Sequence, residues 1–233
     1  MHQNKNTVLV LGGDGYFGWS LGLALAKRTD ISVILVDNLV KRRLEKENGS
    51  KPLIPFAKPE KRISEYNRIF GKSNLSFEKL DILNYKGVTE IIKKYHPFAI
   101  VNAAQQPSAP FSMASPKNAA YTYRNNIIGH LNLLWAIAEI DKNISYIKLG
   151  SAGCYHGIET NCIPLDKVNL NFIRENKQYK IFKSWLPMYA NDFYHQSKIT
   201  DFLISELAVN VWKVKTATVQ QSIIFGVRLH KIT

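Results

Sequence analysis

The stretch TVLVLGGDGYFGWSLGLALAKRTDISVILVDN, residues 7–38, decides the fold. Thr7–Leu11 is a short apolar run that stops at glycines, which reads as a buried strand. Phe17, Leu21, Ala24 and Leu25 then recur at helical spacing as far as Arg28, and Ser32–Val36 is a second apolar strand closed by Asp37. Between strand and helix stands Gly12-Gly13-Asp14-Gly15-Tyr16-Phe17-Gly18, which satisfies G-x-G-x-x-G from Gly13 and G-x-x-G-x-x-G from Gly12. Glycines there permit a tight turn and let backbone N–H groups approach a pyrophosphate, and the helix N-terminus adds partial positive charge. By itself such a loop also fits a plain turn. Asp37 follows Gly18 by 19 residues, the place for an acid on the adenosine ribose hydroxyls. The two features together imply a dinucleotide. Asp37 would repel a 2′-phosphate, which favours NAD over NADP. Arg42 and Arg43 could accept such a phosphate, contact the NAD pyrophosphate, or face solvent.

Outward from this unit the alternation continues. Residues 41–70 are charged and irregular and suggest one or two surface helices. Leu75–Leu80 reads as a third strand. Val88, Ile91, Ile92 and Tyr95 mark an amphipathic helix, and Phe98–Val101 a fourth strand. Residues 105–116, with Pro107, Pro110 and Pro116, read as a loop. A long helix through Ile127, Leu131, Leu134, Trp135 and Ala138 precedes a fifth strand at Ser145–Leu149. Residues 151–190 look loop-rich. Ile199, Phe202, Leu203, Leu207 and Val211 mark a further helix, and Val214–Val219 a sixth strand. Alternating strands and helices imply an α/β fold with a doubly wound parallel sheet, whose ligands sit at the carboxyl ends of the strands.

The 233 residues are 45% hydrophobic, 11% aromatic and 21% charged, which excludes a disordered chain. No run approaches the roughly 18 apolar residues of a membrane span, and the start lacks the apolar core of a secretory signal. A soluble cytoplasmic protein is expected. Lys and Arg number 31 against 18 Asp and Glu, a net charge of +13. Nucleic-acid binding would account for that excess, but the basic residues are spread out, and the denser run from Lys41 to Arg62 is interleaved with Glu45, Glu47 and Glu60. There is no zinc spacing. Cys154 and Cys162 read as free thiols.

Tyr194-His195-Gln196-Ser197-Lys198 gives Tyr-x-x-x-Lys at a helix start, which sets the two side chains on one face. A lysine ammonium there would lower the tyrosine pKa, and a nicotinium would lower it further. The phenolate could then take a proton from a sugar hydroxyl as hydride leaves for the cofactor. Ser151, just after the fifth strand, could hydrogen-bond the same substrate oxygen. Each motif alone has a bland reading, as a surface pair or a turn serine; their order along alternating elements is more specific.

These segments, with GGDGYFGW (12–19), VDNLVKRR (36–43), SAPFSM (108–113), NNIIGHLNLL (125–134), KLGSAGCYH (148–156) and FYHQSK (193–198), resemble the extended short-chain dehydrogenases/reductases, the NAD-dependent epimerase/dehydratase family, and within it the UDP-sulfoquinovose synthases. The resemblance implies a Rossmann domain over residues 1–233 with an insertion at about 41–72 and the start of a substrate lobe at about 155–190, most of that lobe being absent. It implies UDP-glucose and sulfite or a sulfite donor as substrates, NAD as cofactor, and a homodimer through helices around 115–140 and 194–211. The sugar would be oxidised at C4, lose water across C5 and C6, take up sulfite at C6 and regain hydride at C4. Tyr194 would be the base, Lys198 would tune it and hold the nicotinamide ribose, and Ser151 would polarise the C4 oxygen. His195 would serve the later steps or stand as a structural histidine. Gly12, Gly15, Tyr16, Phe17, Gly18, Asp37, Asn38 and Arg42 would bind the cofactor. Asp81 and Ile82 would flank its adenine, Ala103, Ala104 and Asn125 would line it, and Gln221 would approach the nicotinamide or sugar.

The chain departs from that pattern at three places. Cys154 stands where a glutamate is expected, so it does the proton work at C5/C6 differently or the elimination is impaired. Pro107 replaces an arginine suited to anions, and Gln220 an asparagine. A plain epimerase or 4,6-dehydratase, or a dinucleotide-binding module without turnover, are the competing readings.

Overall fold

The computed structural model describes residues 6–47, 49, 55–155, 168–174, 177–184 and 188–224. Strands β1 (Asn6–Leu11), β2 (Ile31–Asp37), β3 (Leu75–Lys79), β4 (Ala99–Asn102), β5 (Ser145–Leu149) and β8 (Thr216–Val219) form one parallel sheet in the order β3-β2-β1-β4-β5-β8. The order reverses between β1 and β4, and there the carboxyl ends of the strands open a crevice.

Side-chain alternation explains why both faces are covered. Val8 and Val10 of β1 join one buried cluster with Trp19, Val33, Leu35, Ile63 and Tyr66; Leu9 and Leu11 join another with Ile34, Val36, Ile91, Ile92, Leu133, Leu134 and Tyr146. Helices α1 (Tyr16–Ala26) and α3 (Pro59–Phe70) supply the first layer. The second comes from α4 (Tyr85–Tyr95) and α7 (Gly129–Ile140). The charged stretch after β2 forms two helices, α2 (Val40–Glu47) and α3. Pro59 opens α3 and Gly71, at φ 60°, closes it.

Two segments differ from the sequence reading. The expected loop at 105–116 contains a short helix, α5 (Ala109–Met113), because the Ser108 side chain accepts from the Phe111 N–H and Pro110 sits where a missing N–H costs nothing. The loop-rich region 151–190 contains an antiparallel hairpin of β6 (Val168–Arg174) and β7 (Lys177–Ser184), apart from the main sheet. Alternating polar residues had hidden it. Helix α6 (Pro116–Tyr123), a π turn at Arg124–Ile128 and α7 run on as one helical segment, longer than the apolar spacing suggested. Helix α8 (Phe193–Leu207) starts at Asp192, whose carboxylate accepts the His195 N–H. Cys162 and residues 225–227 lie outside the described residues. Among the described residues no helix is long and apolar enough to cross a membrane.

Candidate functional site

The glycine loop sits where β1 ends. Gly12 N and Gly13 N both donate to Val36 O, at 2.8 and 3.0 Å, folding the chain back over β2. Gly12 has φ +79°, and a Cβ there would lie 2.6 Å from Ala103 O at the end of β4. At Gly18 a Cβ would lie 2.1 Å from Gly12 O. The loop can hold this shape only without side chains at these two positions. Above it opens a cavity of about 500 Å³, lined by Gly12, Gly15, Tyr16, Phe17, Gly18, Asp37, Asn38, Arg42, Ile82, Ala103, Ala104, Asn125, Tyr194 and Gln221 among others. A backbone cradle at a parallel-sheet switch point, too tight for a Cβ at Gly12 or Gly18, fits the diphosphate of a dinucleotide.

At one end of the cavity Asp37 accepts N–H groups from Leu39 at 2.7 Å and Asp14 at 3.1 Å. Burial pushes its carboxyl above the ordinary range, although these two N–H groups work to hold it down. Asn38 donates to Asp81 at 3.0 Å, and Asp81 also accepts the Leu83 N–H, so Asp81 braces Asn38 and does not itself line the cavity. Asp14 binds two arginines of the insertion: Arg42 Nη2 at 2.8 Å, and Arg62. The Arg62 guanidinium lies 3.8 Å over the Trp19 ring, and Arg42 lies 4.4 Å over Phe56. Arg43 instead faces solvent beside Glu47. The sequence reading missed Asp14, Arg62, Trp19 and Phe56, all of which line this end. Residues this far apart in the chain leave no local spacing signal.

At the other end stands Tyr194, and the Ser151 side chain acts on its phenol from beside the cavity. Ser151 is held by its own N–H, which donates to Gln220 Oε1 at 2.7 Å. Burial pushes the Tyr194 phenol up to about 12, Cys154 and Asp201 add to this, and the Ser151 side chain opposes it. Lys198 is fully buried, 2.7 Å from Gln105 Oε1 and 3.2 Å from Asp201 Oδ2, and it also donates to Leu149 O. Burial, and then the nearby Lys148 ammonium, push Lys198 down to about 7. Gln105 stands between Lys198 and the cavity, and the sequence reading did not single it out.

His195 Nδ1 lies 2.7 Å from Asp192 Oδ2, and its ring packs against Gly153, where a Cβ would meet Nε2 at 2.2 Å. Cys154 is buried and its thiol is pushed up to about 11, first by burial. The structure therefore holds a neutral thiol there, outside the cavity lining. Pro107 lines the cavity. Behind the site lies a second polar cluster. Asp201 Oδ2 is 2.9 Å from the buried Lys148 ammonium of β5. His130 Nε2 meets Asp201 O and Ser205 Oγ, both at 3.1 Å, and His130 Nδ1 meets Tyr146 Oη at 2.7 Å. A carbonyl accepts only, so Nε2 carries the proton and Tyr146 donates to Nδ1. A lysine in the middle of an apolar parallel strand and an acid three residues past Lys198 were the signals for this cluster.

Residues 8–204 match the NAD dependent epimerase/dehydratase family. The chain is 36% identical over 227 residues to UDP-sulfoquinovose synthase of Sulfolobus acidocaldarius, covering 97% of this chain and 56% of that protein. It is 32% identical over 225 residues to the chloroplastic UDP-sulfoquinovose synthase of Spinacia oleracea, covering 97% of this chain and 45% of that one. The solved UDP-Glc/GlcNAc 4-epimerase of Campylobacter jejuni shares the fold, with a TM-score of 0.65 at 18% identity over 92% of this chain and 53% of that structure. The chain thus spans about half the length of the curated relatives it matches.

Proposed function

The chain belongs to the NAD dependent epimerase/dehydratase family, and from that premise we propose that it is the cofactor-binding part of a cytoplasmic enzyme of the UDP-sulfoquinovose synthase type, which converts UDP-glucose and sulfite to UDP-sulfoquinovose through a 4-keto sugar. The observation that carries the reading is one cavity running from the glycine loop to Tyr194. Residues 1–233 make one NAD-binding domain with an insertion at about 41–72, and the hairpin within 155–190 begins the substrate lobe.

Tyr16, Phe17 and Gly18, at the first turn of α1, would offer backbone N–H groups to the diphosphate, and Gly12 and Gly15 let it approach the loop. Asp37 takes the adenosine ribose. Asn38, braced by Asp81, lies with Ile82 at the adenine, and Arg42 closes that edge. Ala103, Ala104, Asn125 and Gln221 line the nicotinamide end. The chemistry that a bound NAD would supply is hydride acceptance at the sugar C4 and its return. Tyr194 takes the proton of the C4 hydroxyl and Ser151 hydrogen-bonds the same oxygen. The phenol pushed up by burial needs a positive charge nearby to ionise, a role for Lys198 while it is protonated. Lys198 reaches the ribose by way of the cavity wall formed by Gln105. His195, fixed by Asp192, serves the later steps.

The neutral, buried Cys154 favours a second reading, in which oxidation and reduction at C4 proceed without elimination, as in an epimerase. Incubation with UDP-glucose, NAD and sulfite separates the two. A sulfonated nucleotide sugar supports the first. UDP-galactose without it supports the second, and a 4-keto-6-deoxy sugar, which requires elimination, overturns the second. NAD binding without UDP-glucose binding in calorimetry would leave a module without turnover. We also propose a homodimer through α7 and α8, where Ile128, Trp135, Leu203, Leu207 and Val211 are exposed along one stripe of each helical segment. Sedimentation showing only monomer would refute it.

A further inference from the structure

The buried cluster behind the site has an imbalance of charge. One carboxylate, Asp201, faces two ammonium groups, Lys148 and Lys198, and all three are sealed from solvent. Both ammoniums meet the same oxygen, Oδ2, at 2.9 and 3.2 Å; Asp201 Oδ1 has no hydrogen-bond partner among the described residues. The two lysines are not equivalent. Lys198 also donates to Gln105 Oε1 and Leu149 O. Among the described residues Lys148 has Asp201 as its ion-pair partner and no aligned hydrogen bond.

We propose that Lys148 is a positioning residue for Lys198: the two buried ammoniums compete for one carboxylate oxygen, so Lys148 governs how firmly Asp201 holds Lys198 charged beneath Gln105 and Leu149. Its functional weight rests on the role given to Lys198 above. Like charges sharing one counter-ion away from water disfavour each other, so the charge on Lys148 weighs against the charge on Lys198. The groups that face Lys198 are Lys148 from β5, Asp201 from α8 and Cys154 from the turn after β5, with His130 of α7 beyond Asp201. Cys154 is neutral over the range in question.

The test is a pH titration of isotope-labelled lysine side chains by NMR on the full chain, with Lys198→Arg assigning its signal. Lys148→Met keeps the volume and removes the charge; the Lys198 midpoint then rises by about one pH unit or more. Lys148→Arg keeps the charge and leaves it within a few tenths. An unchanged midpoint in Lys148→Met overturns the proposal. In the unaltered chain the Lys148 signal shifts over the same pH interval in which Lys198 titrates, a coupling that needs no substitution; its absence also overturns the proposal. NAD affinity is measured separately by calorimetry. If NAD fails to bind, the cofactor reading falls while the titration still decides the role of Lys148.

Discussion

Two glycines three residues apart in one loop meet different surroundings, and substituting each by alanine separates them. At Gly18 an added Cβ would lie 2.1 Å from Gly12 O, 2.7 Å from Gly12 C and 3.1 Å from Gly13 Cα. All three are backbone atoms, so no side chain can swing away, and the first turn of α1 must retreat from the loop by more than an ångström. At Gly15 the nearest atom is Gly12 O at 3.1 Å, a tight contact that a few tenths of an ångström relieves. Overpacking of the first kind costs about 1–3 kcal/mol, and the helix propensity gained by replacing glycine offsets roughly 1 kcal/mol of it. Gly15→Ala, at the N-cap, costs about 1 kcal/mol or less. The larger difference lies in binding. The N–H groups of the loop and the end of α1 move apart in Gly18→Ala, and losing even one well-placed hydrogen bond to a phosphate, roughly 1.5–3 kcal/mol, is at least a tenfold loss of affinity. Urea unfolding and NADH fluorescence titration measure the two effects. Equal NADH affinity in Gly18→Ala and the unaltered chain would refute the reasoning, because the close approach would then not shape the cradle.

Further outcomes follow from the buried charges. Asp201→Asn leaves two ammoniums sealed without a counter-ion and lowers stability by about 3–5 kcal/mol in urea unfolding; an unchanged midpoint would show that the cluster is wet. His130 is fully buried and its imidazole is pushed down to about 3 from 6.5, first by burial. The unfolded chain therefore binds the proton that the folded chain refuses. Stability from this group is whole above about pH 6.5, falls as pH drops, and has lost roughly 3 kcal/mol by about pH 4. His130→Gln flattens that slope, and parallel slopes in the two proteins would contradict the assignment. Asp14→Asn leaves Arg62 buried without its carboxylate and costs roughly 1–3 kcal/mol. It also loosens the insertion from the glycine loop, seen as faster amide exchange in α3; protection equal to that of the parent would show that the loop does not hold it.

Much of the architecture was legible in sequence because its signals are local. The apolar runs at Thr7–Leu11 and Ser32–Val36, the glycines between them and Asp37 after them define a strand–loop–helix–strand unit, since buried parallel strands must be apolar and a close-approach loop must lack Cβ atoms. The pairing of Tyr194 with Lys198 on one helix was legible for the same reason, and so was the presence of helices in the insertion. The short helix α5 and the hairpin β6–β7 were not, because serine capping and mixed polar strands imitate loop composition. Only the tertiary structure decided where the charges go. Lys198 shares a helix face with Tyr194, but its ammonium is captured by Gln105, Leu149 and Asp201, from a loop, a strand end and the next helical turn. Lys148 and His130 meet Asp201 behind the site, and Asp14 joins Arg42 to Arg62, across separations of 28 to 71 residues. Chain spacing sets which backbone can form. The protonation of a side chain depends on what burial and folding place around it, and that is written in no single stretch of the chain.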